Sequence, residues 1–129
     1  IEERASMAWL AAIKYSAMIH EFAADVLRSK LSDFDLVLRP SDYDNFIAAR
    51  LPAHPELDEL TESSRRKIRN VLLLMLTEAG MLRKKNGARL IIRPLQSKRV
   101  IDSIVADDAQ LLAGFLWTDK EIAAIRKDK

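Results

Sequence analysis

Two groups of cations offer the chemistry in this sequence. Arg65, Arg66, Lys67 and Arg69 fall within five residues, and Arg83, Lys84, Lys85 and Arg89 within seven. Guanidinium and ammonium groups supply positive charge and hydrogen-bond donors, which is what a phosphate oxygen needs. Between Thr61 and Arg99 stand eleven Lys or Arg against two acids, Glu62 and Glu78, a balance of +9. The remainder holds ten basic and seventeen acidic residues, a balance of −7, so the net charge of +2 hides a dipolar chain. A clustered basic patch is the electrostatic footprint of a nucleic-acid binder. A solvated helix face beside a charged edge hairpin has the same composition. The phosphate reading is favoured because the predicted helix and the predicted hairpin are basic together.

Other chemistry is poorly supplied. Asp42 and Asp44 look like a carboxylate pair, but the start of a helix explains both, since acids suit the positive end of the helix dipole. His20 and His54 fall in different predicted helices with no metal-ligand spacing, and the chain has no cysteine. There is no glycine-rich phosphate loop and no serine in a nucleophile setting. The reading is therefore a non-enzyme with no catalytic residues, no metal and no cofactor. The lack of cysteine fits a reducing cytoplasm. No run reaches the roughly 18–20 apolar residues of a membrane helix.

The cations need elements to hold them. Thr61 is a natural N-cap, Glu62 suits the first turn, nothing breaks a helix from Ser64 to Ala79, and Gly80 ends it. Arg65, Arg66 and Arg69 recur at i+3 and i+4, while Ile68, Val71, Leu72, Met75 and Ala79 form another face. Val71–Leu76 is apolar all round, which predicts burial on several sides. Asn86-Gly87 predicts a two-residue hairpin turn between Met81–Arg83 and Ala88–Arg93, with Lys84 and Lys85 near its tip. A short helix from Pro55, a turn and the Thr61 helix would make a helix-turn-helix. With the hairpin as wing, the layout is winged-helix-like.

The flanks read as helical. Residues 2–31 lack proline and glycine and carry an apolar face, with a break at Lys14-Tyr15-Ser16 and Ser16 capping a second helix to about Lys30. Phe34–Arg39 alternates and reads as a short extended piece. Ser41 is the expected N-cap of the next helix, which runs to about Leu51. Ser97, Asp108 and the Thr118–Glu121 capping box predict three further helix starts. The fold class is thus mainly α, a helical bundle with a winged-helix-like helix-turn-helix and one small β-hairpin. Residues 1–33 are expected to pack as an N-terminal helical segment on a winged-helix-like unit spanning 34–129.

Several of these runs carry a family resemblance. Tyr43-Asp44-Asn45-Phe46, His54-Pro55-Glu56-Leu57-Asp58, Arg66-Lys67-Ile68-Arg69 and Glu78-Ala79-Gly80-Met81-Leu82 resemble the BrxA-like family of bacteriophage-exclusion (BREX) defence systems. Trp9-Leu10-Ala11 and Glu21-Phe22-Ala23 extend the resemblance towards the N-terminus, and the last thirty residues match only loosely. It implies a small, non-catalytic, cytoplasmic defence component whose partners are double-stranded DNA and other defence-system proteins. Family members are longer at the N-terminus, which implies a preceding helical lobe. The alternative is a structural adaptor that docks its basic face on an acidic protein.

Overall fold

Capping chemistry sets most of the helix starts. The computed structural model describes residues 3–53, 55–57 and 59–127. Helix α1 (Glu3–Tyr15) stops at Ser16, whose Oγ accepts from the Ile19 N–H at 3.3 Å and opens α2 (Ala17–Glu21). The expected break is therefore present. The helical run ends at Ser32, close to the expected Lys30, but it is not uniform: it widens into a π-helical stretch, Phe22–Leu27, before continuing as α3 (Arg28–Ser32). The wider turn sets Phe22, Ala23, Ala24 and Leu27 together in the core.

Helix α4 (Pro40–Arg50) corrects the expected cap. Extended Arg39 is the N-cap, and its backbone N–H donates to Asp42 Oδ2 at 2.7 Å. Ser41 lies inside the first turn. Pro40 explains the shift, because its fixed φ suits the first helical position and it keeps the preceding residue extended. Arg50, at the other end, donates to Glu21 Oε2 at 2.9 Å and Asp25 Oδ2 at 3.1 Å, tying α4 to the α2–α3 helix. The short helix expected next is a single 3₁₀ turn, Pro55–Leu57. His54 and Asp58 lie outside the described residues.

Helix α5 (Glu62–Glu78) begins and ends where its sequence predicts. The Ser64 N–H donates to Thr61 Oγ1 at 3.0 Å. Gly80 takes φ 83, and the Met81 N–H closes the end on Leu76 O at 3.0 Å. The burial expected on several sides of Val71–Leu76 is found on one side only. Val71 is 51% exposed and Leu74 57%, whereas Leu72, Leu73 and Leu76 are buried. Neighbours cover α5 on one side only, so a helix apolar all round leaves an uncovered apolar strip.

The hairpin consists of β2 (Leu82–Lys85) and β3 (Ala88–Ile91), joined at Asn86 (φ 51) and Gly87 (φ 82). Positive φ at both positions is what a tight primed turn demands. The extended piece before Pro40 supplies β1 (Val37–Leu38), which pairs antiparallel with β3 and completes a sheet of order β1-β3-β2. Ser97 caps α6 (Lys98–Asp108), Asp108 caps a 3₁₀ run (Ala109–Phe115), and the Thr118–Glu121 box opens α7 (Asp119–Lys127). One apolar cluster runs from Trp9 and Ile13 through Phe22, Leu76 and Met81 to Phe115 and Ile122. The Trp9 Nε1–H donates to Gly114 O at 2.7 Å, fastening α1 to the C-terminal turns. The fold is mainly α. Among the described residues no helix is long and apolar enough to cross a membrane.

Candidate nucleic-acid interface

The four helix cations divide into two rows. Arg65 and Arg69 are one turn apart and partly buried on the side of α5 that faces α4, where both charges reach the Tyr43 phenol. Arg66 and Lys67 are exposed on the next strip, around a shallow depression with Asn70, Val71 and Leu74. Arg66 reaches only a loose pair with Glu62, at 3.7 Å. The 3.6-residue period causes the division.

The hairpin cations divide by a different rule. Side chains alternate across a strand, and directly paired residues share a face. Lys84 pairs with Arg89 and Leu82 with Ile91, and Leu38 of β1 pairs with Arg89 in turn. Leu38, Leu82 and Ile91 are buried, so Lys84 and Arg89 lie on the core-facing side of the sheet near the turn. Arg83 and Lys85 pair with Leu90 and Ala88 and project from the opposite side. The sequence places all four hairpin cations in one wing, and the pleat separates them onto two faces.

Between the helix and the hairpin lies a cleft of about 70 Å³, lined by Arg69, Asn70, Leu73, Arg89, Tyr43 and the Leu38–Pro40 segment. It brings one cation of each group together, 20 residues apart in sequence. Sequence reasoning missed Tyr43 and Arg39 here, since Arg39 belongs to the acidic part of the chain and Tyr43 reads as a helix-start residue. Burial pushes the Tyr43 phenol above its ordinary value of 10, while the charge of Arg69 pulls it down. The phenol is therefore a neutral donor near neutral pH.

Ion pairing separates these cations from those that tie elements together. Lys14, Arg28, Lys30, Arg50 and Arg93 all bind acids that join separate elements. Arg39 is turned towards Asp35, 3.3 Å away. Among the described residues Lys67, Arg69, Arg83, Lys84, Lys85 and Arg89 have no acid partner. The acidic excess elsewhere in the chain holds the fold together and leaves this surface positive. No group of three or more potential metal ligands occurs among the described residues.

The family model described as BrxA matches residues 1–108, most of the chain and all of the elements that form the cleft. The chain belongs to the BrxA family. Membership places it among the proteins associated with BREX systems. The family match ends with α6, and the 3₁₀ run, its end and α7 still supply Phe115, Leu116 and Ile122 to the core of this BrxA-family chain. No curated protein and no solved structure matches it.

Proposed function

We propose that this BrxA-family chain is a non-catalytic duplex-DNA-binding component of a BREX system, working with other proteins of that system. The observation that carries the reading is the set of six cations on α5 and the hairpin that lack acid partners among the described residues. Helix α5 would present its basic N-terminal turns to the duplex and the β2–β3 hairpin would act as a wing, the layout of a winged helix. Arg and Lys outnumber the Asn and Gln that read adenine edges, so most contacts are to phosphates and sequence preference is weak. Four to eight such contacts would give a slope of log K against log salt of roughly −4 to −7.

Fluorescence anisotropy with a labelled random duplex tests this from low to physiological salt. Binding that tightens steeply as salt falls, and that weakens in an Arg65→Ala/Arg66→Ala/Arg69→Ala variant, supports the reading. Salt-independent or absent binding overturns it. A second reading, an adaptor that docks on an acidic protein surface, is favoured by the uncovered Val71 and Leu74 beside Lys67. Retention of BREX proteins on the immobilised chain without DNA retardation would select it.

A further inference from the structure

The cleft between α4, α5 and the sheet holds more donors than the fold uses. Tyr43 is only 5% exposed, yet its hydroxyl makes no hydrogen bond among the described residues. Its ring is fixed by Phe22, centroid to centroid at 6.1 Å, and by the α4 backbone. The ring is packed away while the hydroxyl stays reachable at the cleft, free to donate to a ligand. Arg69 and Arg89 are also partly buried at the cleft without an acid partner among the described residues. Partly desolvated cations left unpaired raise the energy of the fold unless an anion completes them. Lys84 adds a third positive charge from the same face of the sheet.

We propose that this cleft is a seat for a single phosphate group, gripped by the Arg69 and Arg89 guanidiniums and by the Tyr43 hydroxyl. The inference rests on the duplex-binding reading for the source of the phosphate, a backbone phosphodiester; free phosphate would be held by the same chemistry. Size favours one such group. About 70 Å³ has room for a few waters, hence for a phosphate, and is too small for a base. Arg69 comes from the helix and Arg89 from the wing, so one phosphate there fixes the angle between the two elements as they meet the duplex. The first residue of α4, Pro40, lines the wall, and the positive end of that helix dipole adds to the same potential. Of the nearby acids, Asp35 is occupied by Lys30 and Arg39, and Asp44 is exposed.

Tyr43→Phe isolates the claim, because it removes one oxygen and no charge. Duplex affinity should fall roughly tenfold, as for a lost hydrogen bond to a charged group, with an unchanged salt slope. Arg69→Gln and Arg89→Gln should each weaken binding and reduce the slope by about one. In parallel, inorganic phosphate is titrated into the ¹⁵N-labelled chain, with shifts expected at the backbone amides of Arg69, Asn70 and Arg89 and lost in Tyr43→Phe. Thermal melts of each variant confirm that the fold is kept. If Arg66→Ala/Lys67→Ala weakens duplex binding while Tyr43→Phe, Arg69→Gln and Arg89→Gln bind as the parent does, the seat is overturned and the duplex reading stands. Phosphate shifts that need Tyr43, in a chain that binds no duplex, keep the seat for free phosphate and overturn the duplex reading. Absence of both the duplex effect and the phosphate shifts removes the seat.

Discussion

Lys84 stands directly across the β2–β3 hairpin from Arg89, so two like charges occupy one cross-strand pair. Such a pair opposes hairpin formation, and opposite charges or uncharged β-formers are the stabilising choice there. A position that weakens its own hairpin is one where binding and folding pull in opposite directions. Lys84→Thr is expected to stabilise the chain by about 0.2–0.5 kcal/mol in urea denaturation and to weaken duplex binding. A variant that loses stability and keeps its affinity would show that Lys84 serves the fold instead.

The uneven burial of Val71–Leu76 gives a contrast within one helix. Leu76 is fully buried, and Leu76→Ala should cost about 2–5 kcal/mol through the cavity it leaves. Leu74 is mostly exposed, so Leu74→Ala should stay within about 0.5 kcal/mol of the parent. Equal losses in chemical denaturation would mean that Leu74 is covered in solution.

Gly114 sits where a side chain has no room. A Cβ there would meet Ile13 Cδ1 at 2.7 Å and His20 Nδ1 at 2.8 Å. Gly114→Ala should therefore cost about 1–3 kcal/mol as the Ile13 and His20 side chains are forced to shift. A melting temperature unchanged from the parent would refute this packing.

Two groups contribute to the pH dependence of the chain's stability in separate windows. Burial lowers the pKa of His20 below 6.5, with Arg28 acting the same way and Asp25 opposing. A group with a lowered folded pKa binds more protons unfolded, so its contribution is complete above 6.5 and is lost as pH falls through the lower folded value. Glu121 is held at about 2 by the Arg93 guanidinium, which donates to both its oxygens at 2.7 and 2.9 Å. That contribution is complete above 4.5 and is lost as pH falls towards about 2. Both ends of the pair are more than a third exposed, so solvent limits it to about 1 kcal/mol. Denaturation from pH 8 to pH 2 should lose its upper slope in His20→Gln and its lower slope in Glu121→Gln. Unaltered profiles would contradict these assignments.

Local structure and charge were legible from the residues alone. Thr61 and Gly80 delimit α5, Asn86-Gly87 makes the turn, and Ser16, Ser97, Asp108 and Thr118 start helices, because each acts through a backbone group within a few residues. Arg39 shows where local signals compete: Pro40 outranked Ser41 because a fixed φ outweighs one hydroxyl contact. The π-helical stretch at Phe22–Leu27 was not legible, since it is set by what the core on its far side must bury. The exposure of Val71 and Leu74 was equally hidden, for apolar character states what a residue tolerates and only the neighbours decide what covers it. The same holds at the candidate site. Composition could count eight cations, but the helical period and the strand pleat sorted them into faces, and the packing of α4 against α5 set Tyr43 beside Arg69 and Arg89. Contacts between residues far apart in sequence depend on how whole elements pack, and no local pattern records that.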